Sequence, residues 1–356
     1  MYILIALLLL GILITVHEWG HFIAARLTGI QVNEFAIGMG PKIIGWKSKK
    51  YDTRFSLRAI PVGGFCAFYG EDDVSGKHLA DSRAFSNQAV WKRILTVAMG
   101  PMMNFVLAFV VTALFFWIGG VNEVTGVDPY IHQVAAAGPA YSAELQDGDI
   151  IESVNGMSVL DGTTDTLLNA ISAYQEGDAP LRMVVRRGNE TFETEMTPFW
   201  DEAEGKYRVG VTIGGRYRTT HRPCGLGEAI GESWSTCVYA GGMIINALKD
   251  LVTTGAGLEQ TSGPVGVVSM VSQEVAIGGF EAFLNYLVVI SINLGIMNLL
   301  PIPGLDGSRL IFLIIEAIRR KPIAPQKEAI VHLIGMIFLF ALMIFFTFKD
   351  VMNLFR

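Results

Sequence analysis

Residues 1–28 read MYILIALLLLGILITVHEWGHFIAARLT, in which an uncharged apolar run from Met1 to Val16 is followed by His17-Glu18-Trp19-Gly20-His21. A run of this length and composition predicts a membrane-spanning helix. On a helix the two histidines of H-E-x-x-H lie on one face, four residues apart, where both imidazoles can bind one Zn²⁺. The glutamate between them is placed to act as general base. Ionisable side chains in lipid are costly unless they serve a site, so the stretch predicts a zinc protease site within the bilayer.

The composition indicates a membrane protein with a sizeable polar part. The chain has 356 residues, of which 51% are hydrophobic, and its mean hydropathy is +0.43. The chain is therefore too apolar for an ordinary soluble protein and too mixed in composition for a helical bundle alone.

The alternative for H-E-x-x-H is a chance match in a soluble helix, which is expected in roughly 1 in 100 chains of this length. Its position in a spanning segment makes that alternative weaker.

Apolar stretches divide the chain into membrane and non-membrane segments. We expect a polytopic α-helical membrane protein with four transmembrane helices, at residues 1–26, 94–118, 284–317 and 328–349. The first stretch has no basic residue before it and no small-x-small cleavage site, so we expect a retained helix rather than a signal peptide. The segments between the helices are 27–93, 120–215 and 216–283.

Charge asymmetry predicts the orientation. Lys and Arg outnumber Asp and Glu by 11 to 6 between Arg26 and Arg93, whereas Asp and Glu outnumber Lys and Arg by 22 to 9 between Gly119 and Glu281. Residues 318–327 add four more basic side chains. The positive-inside rule therefore predicts that both basic segments are cytoplasmic and that the acidic segment and both termini are extracytoplasmic. His17 and His21 then lie towards the cytoplasmic side of the bilayer. The net charge of −6 offers no basic patch for nucleic acid.

The segment after the first helix contains a predicted strand pair. Residues 51–60 alternate polar and apolar side chains, the period of a half-buried strand, and Pro61, Gly63 and Gly64 then end the pattern. An open strand edge beside a membrane site can receive an extended substrate, and the candidate contact residues are Thr53, Phe55 and Leu57. A small cytoplasmic hairpin is an equally good interpretation of the residues alone.

Gly100-Pro101 and Asn104 lie early in the second span. They fit either a packing kink or a polar group set near the metal, and the residues alone favour the kink.

Residues 120–215 form a separate globular unit. Its run Leu145 to Gly156 has the pattern L-x-x-G-D-x-I-x-x-V-N-G, which resembles a bacterial PDZ domain, and strands are predicted at 181–188 and 191–196. Domains of this kind take an extended peptide or a chain terminus as an added strand. The alternative is a small β-rich domain without a groove. Residues 216–283 are expected to be an extracytoplasmic linker with an amphipathic helix over about 230–252.

A catalytic zinc site needs a third protein ligand. The candidates in apolar segments are His332, Glu316 and Asp306. Asp306 follows Asn298-Leu-Leu-Pro-Ile-Pro-Gly-Leu, whose prolines and glycine break the helix. Broken backbone at membrane depth is tolerated where it lines a protein-enclosed cavity, and a metal there would compensate the carboxylate. From the residues alone, an interfacial turn that caps the next helix is equally probable for Asp306.

Together, these motifs resemble the site-2 protease family of intramembrane zinc metalloproteases, and within it the bacterial RseP (regulator of sigma-E protease) group. H-E-x-x-H in a first membrane helix and N-x-x-P-x-P-x-L-D-G in a third carry the resemblance, which extends over nearly the whole chain. It implies that His17, His21 and Asp306 bind one zinc ion and that Glu18 activates water. It also implies that Asn293 and Asn298 hold the substrate backbone near the metal.

The resemblance further implies a membrane re-entrant β-loop at residues 51–68 and an active site in a bacterial plasma membrane. The expected substrates are transmembrane segments of single-span proteins, such as an anti-sigma factor already trimmed by a site-1 protease, or signal-peptide remnants. The PDZ-like unit would act as a size filter or as a reader of trimmed substrates. The alternative is a membrane-anchored PDZ scaffold that binds exported proteins without cutting them.

Two features depart from the family pattern. The chain has room for one PDZ domain, whereas the best-known RseP proteins have two. Ser308-Arg309 follow Gly307 where that relative has Gly-His. The second departure leaves the third ligand intact but changes its surroundings.

Overall fold

The computed structural model describes residues 2–71, 81–135, 138–160, 165–202, 205–257 and 261–354. The chain divides into two compact units, one formed by Met1–Trp117 with Gly225–Arg356 and the other by Ile118–Cys224. The helices of the first unit are α1 (Tyr2–Thr28), α2 (Val90–Gly119), α5 (Leu226–Thr254), α6 (Pro264–Leu299), α7 (Asp306–Arg319) and α8 (Pro325–Leu354). Its strands are β1 (Val32–Lys47) and β2 (Arg54–Phe68), and a short 3-10 turn covers Phe85–Asn87.

Four helices within the described residues are long and apolar enough to cross a membrane: Tyr2–Thr28, Val90–Gly119, Pro264–Leu299 and Gln326–Met352. Their number agrees with the expectation from sequence. The third begins at Pro264 instead of near residue 284, because residues 264–278 are also helical. Gly279 interrupts it with φ 61° and ψ −137°, a backbone conformation that only glycine adopts readily. The sequence obscured this earlier start, since Gln273 and Glu274 break the apolar pattern.

Helix α5 packs against α2 and α6. Ser233 is fully buried and its hydroxyl donates to the carbonyl of Phe109 at 2.8 Å. Cys237, Ala240 and Ile244 pack around the buried side chains of α2 and α6. The opposite face of α5 carries the exposed side chains of Trp234, Tyr239 and Met243. Helix α5 therefore covers the stretch predicted as an amphipathic helix and packs one face against protein.

Strands β1 and β2 form a folded sheet. Phe35 of β1 has Cys66 on one side and Phe55 on the other, and residues 34–37 are matched in this way throughout. Residues 44–47 are paired with 54–57. The rows therefore follow the order 64–68, 34–37, 54–57 and 44–47. β1 bends at Gly38 and Gly40, which both have φ above +80°, so glycine is needed at the fold of the strand.

An ion pair and a carboxylate cap are among the polar contacts that fix helices of the first unit to one another. Arg93 of α2 and Glu316 of α7 form a buried bidentate ion pair, with Nη2–Oε1 at 2.5 Å and Nη1–Oε2 at 3.1 Å. Asp350 of α8 accepts hydrogen bonds from the backbone N–H groups of Gly263 and Gly266, at 3.2 and 2.7 Å. The carboxylate thereby caps the N-terminus of α6, where unpaired N–H groups favour negative charge.

The second unit is β-rich. Its strands are β3 (Val121–Val134), β4 (Ile150–Val154), β5 (Met157–Ser158), β6 (Leu181–Arg187), β7 (Glu190–Met196), β8 (Phe199–Asp201), β9 (Lys206–Arg208) and β10 (Val211–Arg222). Its helices are α3 (Pro139–Ser142) and α4 (Asp165–Ser172). A six-stranded sheet has the order β10-β3-β4-β6-β7 with β5 beside β4, and β8 and β9 form a separate hairpin. The core contains the fully buried Ile131, Ile151, Leu167 and Met183.

Candidate active site

Two elements distant in sequence bring the candidate ligands together. The H-E-x-x-H residues lie in the second half of α1, and Asp306 is the first residue of α7. His17 Nε2 lies 3.1 Å from Asp306 Oδ2, His21 Nε2 lies 3.4 Å from the same oxygen, and the two Nε2 atoms are 3.2 Å apart. Within the described residues this is the cluster of His, Cys, Asp or Glu side chains that could hold a metal ion. The structure therefore brings together the three residues predicted as ligands.

The geometry of this cluster fits zinc. Nitrogen and oxygen ligands at 2.0–2.1 Å in a tetrahedron lie about 3.3–3.4 Å from one another, close to the three separations observed. Asp306 Oδ2 is buried and makes no hydrogen bond to the described residues. Three electron-pair donors that converge in a buried space repel one another unless a cation lies between them. A divalent cation satisfies all three at once.

The backbone of α2 fixes the tautomer of His21. His21 Nδ1 lies 2.9 Å from the carbonyl oxygen of Thr96, which can only accept, so Nδ1 carries the proton. The lone pair of Nε2 then points at the metal position, as in other metal-ligating histidines whose second nitrogen binds a carbonyl or carboxylate. Thr96 is itself fully buried.

Asn104 is the corresponding group for His17. Its side-chain Nδ2 lies 3.3 Å from His17 Nδ1, and Asn104 is fully buried, with its Oδ1 making no hydrogen bond to the described residues. Because amide oxygen and nitrogen are nearly equivalent in shape, the amide can present its oxygen as the acceptor for Nδ1–H. That orientation frees Nε2 of His17 as a ligand. From the residues alone we favoured a packing kink at this position over a polar group near the metal. The structure places the amide of Asn104 beside a candidate metal ligand.

Helices α1 and α2 approach so closely that only glycine fits at two points. A Cβ at Gly100 would overlap the imidazole of His21, and a Cβ at Gly20 would overlap the carbonyl of Met99. Pro101 stands in the interior of α2 beside this contact. The Gly-Pro pair is therefore part of the support of the metal ligands.

Glu18 lies in a cavity of about 240 Å³ together with the three candidate ligands. The cavity is bounded by Phe65, Cys66 and Phe68 of β2. Gly64 lies against the stem of Glu18: a Cβ at this glycine would be 3.3 Å from Glu18 Cγ. Within the described residues, the row 64–68 pairs on one side only, with residues 32–37. It is therefore the edge of the sheet that borders the site.

The substrate-contact residues predicted from sequence, in β2 and just before it, do not line this cavity. Thr53 is fully buried and donates to the carbonyl of Val32 at 2.8 Å. Phe55 packs against Phe22 and Phe35 in an aromatic cluster, and Leu57 is 43% exposed. Residues 54–57 form an interior row of the sheet because β1 folds back on their other side. From the sequence we expected the free edge at residues 53–57, whereas the row that borders the site is 64–68. The reason is that Pro61 and Gly63-Gly64 resembled the end of the strand.

The two predicted asparagines differ in position. Asn298, near the end of α6, lines the cavity that contains Glu18, whereas Asn293 is half-buried and does not line it. The other candidates for the third ligand have structural contacts. Glu316 pairs with Arg93, and Nδ1 of His332 accepts from the N–H of Gly304 at 3.3 Å.

Comparison with known proteins matches this arrangement to a family. The family model described as peptidase family M50 matches residues 5–342. The chain belongs to peptidase family M50, the site-2 protease family. The regulator of sigma-W protease RasP of Bacillus subtilis is 32% identical over 98% of both chains. The zinc metalloprotease RasP of Oceanobacillus iheyensis is also 32% identical over 98% of both chains.

A solved structure was also matched, the PDZ domain of an SdrC-like protein from Listeria monocytogenes, at 20% identity. It covers 26% of this chain and 92% of its own, with a TM-score of 0.23.

As a site-2 protease, the chain is a zinc metalloendopeptidase that carries four helices long enough to span a membrane. This result disfavours the non-catalytic scaffold.

Proposed function

We propose that this protein cleaves peptide bonds within the transmembrane segments of single-span membrane proteins. His17, His21 and Asp306 hold one zinc ion in this proposal, and Glu18 is the catalytic residue. The observation that carries it is the convergence of these residues, from α1 and the start of α7, beside a strand edge that pairs with no second strand of the described residues. Because RasP is named as a regulator of sigma-W protease, a membrane-bound anti-sigma factor is the first substrate class to consider.

Zinc held by these ligands supplies Lewis acidity, which acidifies water and polarises a carbonyl. Glu18 takes a proton from the attacking water and delivers it to the leaving nitrogen, the usual double role of a positioned carboxylate. Thr96 and Asn104 keep the ligand imidazoles in the tautomer that leaves both Nε2 atoms unprotonated. Gly64 lets the β2 edge lie against Glu18 and so keeps its carboxylate in the cavity.

The β2 edge at residues 64–68 receives the substrate as an added strand. A substrate helix hides its carbonyls in hydrogen bonds and must unwind before attack, and an edge strand replaces those bonds. Asn298 lies in the same cavity and can hold an unwound carbonyl or N–H. We retain Asn293, which lies earlier in α6, as a second candidate.

The orientation follows from charge. The basic segments 26–93 and 318–327 lie in the cytoplasm, and the β-rich unit and both termini lie outside a bacterial plasma membrane. Single cysteines at Lys49, Lys321 and Glu190, in a variant without the native cysteines, test this with an impermeant maleimide. We expect labelling of intact spheroplasts at residue 190 and labelling at 49 and 321 only after lysis. The reverse pattern would invert the topology.

The β-rich unit acts as a PDZ domain that filters or reads substrates trimmed by a first protease. Strand β10 supports this role, because it lies at the edge of the six-stranded sheet and, within the described residues, pairs only with β3. An extended chain terminus can add to such an edge.

The test uses a tagged single-span substrate that is co-expressed with the wild type or with Glu18→Gln. We expect cleavage by the wild type alone and its loss with a zinc chelator. A matched substrate without its extracytoplasmic domain shows whether prior trimming is required. Failure to cleave either substrate by a folded, zinc-loaded protein would contradict the proposed activity on single-span proteins.

A further inference from the structure

Arg309 lies one helical turn after the candidate ligand Asp306 on α7, at a position where the resemblance leads one to expect histidine. Its guanidinium forms an ion pair with Glu71, and the two side chains are 26% and 12% exposed. Glu71 follows the last residues of β2. The pair therefore links the helix that carries a metal ligand to the segment that ends the sheet.

Glu71 also contacts the edge strand itself. Its Oε2 accepts a hydrogen bond from the backbone N–H of Phe68 at 3.2 Å. Phe68 ends β2, and its ring lies 6.3 Å from the imidazole of His21, centre to centre. One carboxylate thus joins the end of the edge strand to the turn of α7 that follows the ligand.

An aromatic contact reinforces this link. The ring of Phe68 stacks on that of Phe85 at 5.2 Å with an interplanar angle of 9°. The guanidinium of Arg309 lies over the other ring of the stack, 5.9 Å from the centre of Phe85. Arg309 therefore holds Phe68 both through Glu71 and through Phe85.

The same residues separate two cavities. Arg309 lines both the cavity that contains Glu18 and a neighbouring cavity of about 450 Å³. Glu71, Phe85 and the Arg93–Glu316 pair line the second cavity. Without the ion pair, the end of the edge strand would have space into which it could shift, away from the metal site.

We propose that Arg309 and Glu71 are positioning residues that fix the distance between the metal ligands and the edge strand 64–68 on which substrate is added. This inference rests on the proposed function of that edge. The pair acts on the register of the bound backbone and leaves the metal ligands in place. A shift of about 1 Å in such a contact can change kcat/KM by up to a hundredfold.

The test compares two inhibitors of the full-length, detergent-solubilised protein. Acetohydroxamate binds the metal alone, whereas a tripeptidyl hydroxamate also needs the strand edge. Arg309→Gln and Glu71→Gln should each weaken the tripeptidyl hydroxamate about tenfold and leave acetohydroxamate affinity and zinc content unchanged. The double variant should bind the tripeptidyl hydroxamate no more weakly than either single variant. Arg309→Lys should keep most of the wild-type affinity for this inhibitor.

Arg83→Gln is the control, because Arg83 also pairs with a carboxylate, that of Asp81, in a more exposed ion pair. Its guanidinium lies 6.0 Å from the centre of the Tyr69 ring, one residue beyond the edge strand. Equal loss of both inhibitors, no loss in either variant, or the same loss in Arg83→Gln would overturn the proposal. If Arg309→Gln does not purify with zinc, Glu71→Gln and Arg309→Lys decide the question.

Mass spectrometry of the cleavage products gives a second readout. Arg309→Gln should broaden the set of cleaved bonds or displace it by one or two residues, with KM affected more than kcat. A single unchanged cleavage site would contradict the positioning role. Tight binding of the tripeptidyl hydroxamate by a wild type that cleaves no single-span substrate would refute the proposed substrate class and leave the positioning test intact.

Discussion

His17 can coordinate a metal through Nε2 only if its Nδ1 carries the proton, and the side chain that faces Nδ1 is Asn104. The backbone around Asn104 is held independently, because Ser291 of α6 donates to its carbonyl at 2.7 Å. Asn104 therefore has a fixed position and one freedom, the orientation of its amide. Its importance lies in presenting an acceptor to the imidazole.

We expect Asn104→Leu to weaken zinc binding by about 10- to 100-fold, since a ligand histidine would lose the partner that fixes its tautomer. Asn104→Asp keeps an acceptor oxygen in the same place and should bind zinc nearly as well as the wild type. Competition with a chelator of known affinity measures both variants. Equal zinc affinity of Asn104→Leu and the wild type would exclude this role.

Asp149 in the second unit is a buried carboxylate that titrates outside the membrane-spanning segments. It is 1% exposed, accepts from Arg187 at 2.8 and 2.7 Å and accepts from the N–H of Gln146 at 2.8 Å. Burial alone would raise its pKa, but the hydrogen bonds from Arg187 and Gln146 outweigh burial and lower it. Its stabilising contribution is therefore present above the unfolded pKa of about 3.9 and is lost as the pH falls through the lower folded pKa.

We expect Asp149→Asn to lower the free energy of unfolding of this unit by about 1–2 kcal/mol at pH 7, since Arg187 is partly open to solvent. The difference from the wild type should shrink below about pH 4. Urea unfolding can be followed by the fluorescence of Trp200 in a variant whose other tryptophans are phenylalanine. Glu193→Gln, from an exposed pair with Arg182, is the control and should be nearly neutral. A pH-independent difference would contradict the assignment.

At the scale of elements, the contact between α1 and α2 determines whether the ligands can assemble. Gly100→Ala should force the two helices apart, because its methyl group would occupy the space of the His21 imidazole. We expect a cost of about 1–3 kcal/mol in stability and a large loss of bound zinc. Gly11→Ala in α1 meets no atom within 4 Å and should keep its zinc. Zinc content by atomic emission checks both, and full zinc occupancy in Gly100→Ala would refute the close-approach argument.

The elements also show what sequence reasoning could reach. H-E-x-x-H is a local motif, so His17, Glu18 and His21 were accessible as candidates, whereas Asp306 was one of three candidates until the resemblance singled it out. The four apolar helices were accessible from composition. The edge strand was not, because the bend of β1 at Gly38 and Gly40 inserts residues 34–37 between the two halves of β2. Contacts that join distant segments, such as Arg309 with Glu71 or Asp350 with Gly266, have no local pattern.

At the scale of the whole molecule, the proposed activity requires a membrane-spanning substrate to bind at a strand edge. A helix in lipid keeps all its backbone hydrogen bonds within itself, so unwinding leaves groups that must find partners elsewhere. The edge at residues 64–68 offers such partners on one side of the cavity, and Asn298 lies in the same cavity. The cost of unwinding should therefore contribute directly to the rate.

We expect a model substrate with Gly-Pro near the scissile bond to be cleaved about tenfold faster than the same span with Leu-Leu, because proline and glycine weaken the helix by several kcal/mol in its interior. The measurement is the initial rate of product formation in proteoliposomes, with substrate insertion checked by protease protection. Glu18→Gln provides the background for each substrate. The effect should depend on position, so that Gly-Pro moved two turns away restores the slow rate. Equal rates for the two substrates would mean that unwinding is not limiting, and a gain from the distant Gly-Pro would point to an effect on insertion instead of on the site.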